Sequence, residues 1–350
     1  MLVYNLNLLI VYISSFANRV FNKNVHIKLV SHIFSAIAFI SMFIVSGYRY
    51  YVGTDYAVYK QLFLDTYPKM NELPSDEIGY YILNKLVYKI STDYQSIFIV
   101  TSLIILLLIF ITIYRECNKY ELGIYLFITL YHFYSSFNVI RQYIAIAITF
   151  YAVKYIFEHK FYKYLIAILL ASSFHITAII MIPVYFIVQI KMDTKEFIYG
   201  AIIGIVCLNA FEKVLSILID LFPKYEQYND SVLFTYGSIR GLVIYGIIFM
   251  VIYIYRDKLI KADIKNSVYI NFIFISLLVS ILTTRGVLFA RIAGFFNIYA
   301  VILIPNLIDI FNKKERRLLY YSILCVGYLY CYMMLRTNQG EVLPFKFAII

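Results

Sequence analysis

Apolar runs bounded by charged residues recur along the whole chain, and they decide which solvent it folds in. They fall at 2–17, 28–47, 96–114, 121–138, 142–157, 164–189, 197–221, 239–255, 268–283, 291–311 and 318–335. A membrane-spanning helix needs about 20 mostly apolar residues. Of 350 residues, 62% are apolar and 15% charged, against roughly 45–50% and about 25% in a soluble domain. The mean hydropathy is +0.78. These values exclude a soluble globular enzyme, a secreted disulfide scaffold and a disordered chain. The longest stretch that is not continuously apolar, 48–95, is too small for an independent core. The expectation is one all-α polytopic integral membrane domain over 1–350, with about 10–12 transmembrane helices. Any chemistry then occurs among the helices or just above them.

The net charge is +11. In a polytopic membrane protein, excess Lys and Arg first reports cytoplasmic loops. No basic-aromatic motif accompanies the charge, so nucleic acid is not expected as a partner. Cys117, Cys207, Cys325 and Cys331 form no CxxC and read as buried thiols, with no metal and no cofactor implied. Residues 1–17 lack a basic n-region and read as a first span, not a cleaved signal peptide. The basic clusters at 256–265 and 312–317 are assigned to the cytoplasm, as are 19–28 and 115–119. The 48–95 loop, with five basic and six acidic residues, then faces outward.

Counting crossings produces a conflict. Both 158–163 and 191–195 carry lysines and read as inside, yet one apolar run, 164–189, separates them. That run holds Ser172-Ser173-Phe174-His175 at its middle. It is therefore expected to be a broken or re-entrant pair of short helices. Non-helical backbone at membrane depth is tolerated only where protein or a water-filled cavity surrounds it.

Several arginines fall on the other side. Arg49, Arg141, Arg240, Arg285, Arg291 and Arg336 sit at or near the outer ends of spans. A charge at membrane depth costs about 2.5–3.5 kcal/mol on insertion scales, so one that persists there is a functional candidate. Guanidinium presents a rigid fork of donors suited to phosphate. Arg141, Arg285 and Arg291, with Arg49, are the candidate contacts for a polyanionic ligand; snorkelling to lipid phosphates is the ordinary alternative, strongest for Arg240 and Arg336. Asp55 can bind or deprotonate a sugar hydroxyl, or merely cap a solvated turn. His175, at the break, is a candidate for the same work or a satisfied core residue. Glu77 precedes an apolar stretch, 78–90, whose Ile78, Ile82, Leu86 and Ile90 have helical spacing suited to the membrane interface.

Five stretches of this chain resemble the EpsG family of bacterial membrane proteins, related to Wzy-type polysaccharide polymerases. They are Arg49…Val52-Gly53-Thr54-Asp55-Tyr56…Tyr59, Glu77-Ile78-Gly79-Tyr80…Leu83-Asn84, Ile140-Arg141-Gln142-Tyr143-Ile144-Ala145, Ser173-Phe174-His175-Ile176-Thr177-Ala178, and Leu343-Pro344-Phe345-Lys346-Phe347. In the last, the family more often has Pro-Tyr. The resemblance implies a glycosyl transfer that polymerises polyprenyl-diphosphate-linked oligosaccharide repeat units, with the diphosphate held by Arg49, Arg141, Arg285 and Arg291; no DxD-like metal motif stands in a suitable loop, so the reaction is expected to be metal-independent. It also implies a multi-pass protein of the bacterial inner membrane, with its active site facing the periplasm or cell exterior. His175 and Asp55 would be catalytic, and Glu77, Tyr56 and Gln142 would bind sugar. The lipid-linked oligosaccharide and the bilayer would be its partners, with a chain-length regulator and a flippase of the same pathway. An O-antigen ligase and a lipid-linked oligosaccharide flippase are the alternatives.

Overall fold

Leu2–Phe21 (α1) and Lys28–Gly47 (α2) form an antiparallel pair, pinned where Asn18 Nδ2 donates to the Ser31 carbonyl at 2.7 Å and Ser41 Oγ to Asn7 at 2.8 Å. The structure, a computed structural model, describes residues 1–22, 28–65, 77–221, 238–286 and 288–348. Residues 66–76 of the expected outward loop, and Lys23 of the 19–28 loop, lie outside the described residues. Elements among the described residues are helical, with an isolated antiparallel bridge between Arg49 and Phe347.

Tyr56–Leu64 (α3) and Ile78–Ile90 (α4) follow α2 at one end of the bundle. Gln95–Glu116 (α5) starts at that end, where Gln95 Nε2 donates to the Gly47 and Arg49 carbonyls at 2.7 and 3.1 Å. It finishes at the opposite end. Tyr120–Thr129 (α6) returns, His132–Ser135 (α7) makes a turn, and Ile140–Phe157 (α8) descends again. Arg240–Ile254 (α13) and Lys265–Leu282 (α15) form a second antiparallel pair, joined by the short Arg256–Ala262 (α14). Leu288–Asn297 (α16) and Ala300–Ile308 (α17) descend in two pieces, and Lys313–Arg336 (α18) climbs back. Its N-terminus has a capping box, with Asn312 and Glu315 satisfying each other's backbone donors.

The run 164–189 is a hairpin. Phe161–Phe174 (α9) rises, His175 breaks the helix with extended backbone, and a 3-10 turn, Ile176–Ile180, leads into Met181–Ile187 (α10). The arms are clasped where the Tyr164 hydroxyl donates to the Met181 carbonyl at 2.9 Å and His159 meets Gln189 at 3.0 Å. The hairpin thus enters and leaves at one end. With 14 residues and about 1.5 Å of rise each, α9 is too short for a hydrocarbon core of about 30 Å.

The run 197–221 differs from the single span its composition suggests. Thr194–Asn209 (α11) and Phe211–Leu221 (α12) meet at a 91° bend. Periodicity is silent on this, because both pieces are apolar on either side of Ala210. Among the described residues, five helices are long and apolar enough to cross a membrane: Leu29–Gly47, Gln95–Glu116, Lys265–Leu282, Phe289–Ile308 and Lys313–Arg336. Counting the bent pair makes six. Other apolar runs fold into shorter helices that complete the bundle, among them Tyr120–Thr129, Phe161–Phe174 and Arg240–Ile254.

The loops sort by end. The expected inside clusters near 19, 115–119, 158–163, 191–195, 256–265 and 312–317 all fall at one end, hereafter the basic end. Its ion pairs include Arg19–Glu121, Lys119–Asp309 and Lys265–Glu116. The loops after α2 and α7, the hairpin tip and residues 336–348 fall at the other, the tail end.

Candidate functional site

The five stretches of the sequence converge at the tail end. Residues 338–348 dock on the segment after α2: Gly53 N donates to the Glu341 carbonyl at 3.0 Å, Tyr50 N to Lys346 at 2.9 Å and Ala348 N to Tyr48 at 2.8 Å. Asn138, between α7 and α8, is wedged at this seam. A Cβ on Gly53 would lie 2.4 Å from Asn138 Oδ1, and one on Gly340 2.3 Å from its Nδ2. Both glycines also hold positive φ, 104° and 74°, which side chains disfavour.

Glu77 caps α4 with a left-handed φ of 54°, a conformation costing a non-glycine residue about 1–3 kcal/mol. Two residues on, Gly79 presses against the hairpin tip. A Cβ there would come within 2.3 Å of Ser173 Oγ and 3.0 Å of the Ser173 backbone. That close approach brings Glu77 onto His175, with Nδ1 to Oε1 at 2.9 Å. Oε2 of the same carboxylate pairs with Arg141 Nη1. The Glu77 and His175 side chains are 6% and 8% exposed and that of Arg141 is 36%, so the arginine alone of the three faces outward appreciably. Tyr59 and Tyr80 flank it, their ring centres 5.8 and 6.0 Å from the guanidinium carbon.

Asp55 lies half-buried beside this cluster and accepts a hydrogen bond from Thr54 Oγ1 at 3.2 Å. Burial raises its pKa above the usual carboxylate value; the Thr54 bond and the charges of Arg291 and Arg141 oppose the rise. Arg291 is half-buried at the start of α16, and Arg285 is exposed in the turn before it. Gln142 reaches across, its Nε2 donating to the Arg291 carbonyl at 2.5 Å.

Two expected site residues lie elsewhere. Arg49 is 1% exposed; its guanidinium donates to the Ser46 and Phe137 carbonyls and sits 4.9 Å from the Phe98 and Phe137 ring centres. Tyr56 is also buried. It stacks on Phe98 with centroids 4.2 Å apart, and its hydroxyl donates to Gln95 at 2.9 Å. Both hold up the floor beneath the site and do not line its surface.

The sequence pattern of the EpsG family matches residues 32–347. The chain belongs to the EpsG family. Members are Wzy-like polysaccharide polymerase-type membrane proteins, so this chain is a membrane protein of polysaccharide biosynthesis. No curated protein and no solved structure matches it. The EpsG match begins inside α2 and closes in the docked tail, so it encloses every stretch that meets at the tail end. Sequence reasoning passed over His132 and Asn138. His132 is buried, with Nδ1 3.2 Å from the Tyr143 hydroxyl. Its only signal was that of His175: a histidine in an apolar run close to paired serines, Ser135-Ser136.

Proposed function

We propose that this protein polymerises oligosaccharide repeat units carried on a polyprenyl diphosphate, in the bacterial inner membrane, with the tail end facing the periplasm or cell exterior. The observation carrying this reading is the Glu77 carboxylate held between Arg141 and His175, residues from three separate EpsG stretches. In the proposed transfer, an acceptor sugar hydroxyl attacks the anomeric carbon of the donor glycan. The bond from that carbon to the diphosphate oxygen breaks, and its electron pair leaves with the lipid diphosphate. The hydroxyl proton passes to His175. Glu77, an acceptor when ionised, takes the Nδ1 proton in its hydrogen bond and leaves Nε2 as the basic nitrogen. Glu77 thereby positions both the base and Arg141, in place of a direct contact with sugar.

Negative charge grows on the leaving diphosphate, and preorganised donors that meet it lower the barrier. Arg141, Arg285 and Arg291 are assigned to it. Among the described residues, neither Arg285 nor Arg291 forms an ion pair, and the charge of Arg291 acts on Asp55. Asp55 and Gln142 are assigned to sugar hydroxyls. The orientation rests on the basic loops gathering at the opposite end.

A deletion strain tests the reaction. Loss of long chains with single repeat units retained is the expected outcome. Polymer accumulating on lipid would mean ligation, and loss of all surface material would mean flipping; either overturns the reading. Maleimide applied from outside should label Asp65→Cys and not Lys261→Cys, and the reverse pattern would overturn the orientation.

A further inference from the structure

At the α8 N-terminus lies a cavity of about 410 Å³, walled by α7, α8, α13, α15, α16 and the end of α18. Ligand sites commonly measure about 300–1,000 Å³. Gln142 and Ser280 in its wall are 4% and 1% exposed, and among the described residues Gln142 Oε1 and Ser280 Oγ have no hydrogen-bond partner. Asn138 Oδ1, also in the wall, has none either. The two amides are in the same situation. Gln142 Nε2 is spent on the Arg291 carbonyl and Asn138 Nδ2 on the Gly340 carbonyl, which leaves both amide oxygens as unmet acceptors. Buried polar atoms are nearly always paired in native proteins, and each exception needs a reason. His132 Nε2, in the same wall, is a fourth, and four exceptions around one cavity share one reason if the occupant supplies the missing hydrogen bonds.

The rest of the lining restricts that occupant. Tyr131, Tyr143, Tyr245 and Tyr330 line it, Arg240 and Arg291 carry positive charge, and no carboxylate is among the described lining residues. Hydroxyls to donate, ring carbons to pack on tyrosine and an anionic end to meet arginine describe a sugar attached to a phosphate. We infer that this cavity is a saccharide site. It holds the sugars next to the phosphate of a lipid-linked glycan, with Asn138, Gln142 and Ser280 accepting from their hydroxyls and Arg240 and Arg291 meeting the phosphate. The inference rests on the proposed polymerase reading and deepens it: consecutive residues of α8 serve two places, Arg141 the Glu77–His175 cluster and Gln142 the cavity.

Gly241 provides the test. It lines the cavity, and a Cβ there would sit 3.6 Å from Ser280 Oγ and 3.9 Å from Thr283 Oγ1, at ordinary contact distance. Gly241→Leu therefore fills the cavity, and it replaces a poor helix former with a good one. Gly246→Leu, on the same helix but outside the lining, is the control; its Cβ would meet only Leu277, at 3.8 Å. The binding readout is independent of polymerisation. A Ser238→Cys reporter at the cavity is labelled with maleimide after Cys207 and Cys325 are replaced by serine, the other two native thiols being buried. The probe is the lipid-free repeat-unit oligosaccharide prepared from the cell's own lipid-linked pool, with a maltooligosaccharide as the unrelated sugar. The repeat unit should slow labelling and the unrelated sugar should not. Gly241→Leu should abolish the protection and lower polymer output by about tenfold or more, while Gly246→Leu does neither. Unchanged labelling in the presence of the repeat unit overturns the inference, and so does wild-type polymerisation by Gly241→Leu. Its fate is separable from that of the reaction: protection in a His175→Ala protein that polymerises normally would sink the catalytic assignment and still support the cavity.

Discussion

At the basic end, Glu121 and Glu116 are sealed among helix termini. Glu121 is 0% exposed against Arg19, with the Tyr320 hydroxyl at 3.2 Å. Glu116, 2% exposed, takes Arg115, Lys265 at 3.1 Å and the Tyr269 hydroxyl at 3.2 Å. These pairs tie α1 to α6 and α5 to α15 through ordinary helical backbone. At the tail end, the Glu77 side chain is 6% exposed, and its surroundings are irregular: a left-handed residue, a helix broken at His175 and a glycine whose added Cβ would crowd Ser173. Strain concentrates where the rest of the fold holds a group for a purpose. Both ends bury a carboxylate among cations. At the basic end the arrangement fastens helices, and at the tail end it holds His175 and Arg141 on one carboxylate.

The sharpest way to break this comparison is to neutralise the two carboxylates in turn. Glu77→Gln should cut polymerisation by about a hundredfold or more, since it misaligns the base and releases Arg141 together, while the amount of protein in the membrane changes little. Glu121→Gln should do the reverse. Breaking one side of a buried pair costs about 3–5 kcal/mol, so abundance should fall while turnover per molecule holds. Chain-length distribution and quantitative immunoblotting on the same membranes separate the two. Equal loss of abundance in both would reduce the tail-end cluster to another fastening.

Much of this contrast was legible in the sequence. The lysine loops on both sides of 164–189, read as lying on one side, called for a hairpin there, because a single crossing cannot begin and end on one side. Positive-inside bias divides the loops into the same two groups that the fold gathers at its two ends. The bend at Ala210 was not legible, since hydropathy sees composition and not direction. Neither was the fate of Arg49. Its place in the chain matched that of Arg141, and only packing between Phe98 and Phe137 separates a floor cation from a surface one. The cavity beside Gln142 had no signature at all, because its lining comes from six helices and its signal is the absence of partners.

A smaller effect comes from altering shape without charge. Lys keeps the positive charge of Arg and loses the fork. A hydrogen bond to a charged group is worth about 1.5–3 kcal/mol and about 1.4 kcal/mol is tenfold in rate, so Arg285→Lys or Arg291→Lys should slow polymerisation by roughly ten- to a hundredfold. Arg317, exposed at the basic end, is the counterpart. Arg317→Lys should be nearly neutral, because membrane topology reads charge and not shape. If the tail-end variants polymerise like wild type in purified form, with a lipid-linked repeat unit as substrate, these arginines belong to topology or lipid and the ends are alike.

The smallest expected effect is a pH dependence confined to the tail end. Burial holds the Asp55 pKa above its ordinary 3.8. Between the unfolded and folded values the native state binds more protons than the unfolded one, so the contribution of Asp55 to stability is greatest at low pH and declines as pH rises through the folded value. Activity has the opposite sign. If the ionised carboxylate accepts a hydrogen bond from a sugar hydroxyl, turnover should be full above the folded pKa and fall as pH drops through it, placing an acid limb above 3.8. Asp55→Asn keeps a carbonyl acceptor but cannot ionise. It should lower turnover only severalfold and flatten that limb, while a thermal melt in detergent shows the variant losing less stability than the wild type as pH rises. An acid limb that survives in Asp55→Asn would assign the titration to another group, and Asp55 would become a turn residue that happens to lie beside two arginines.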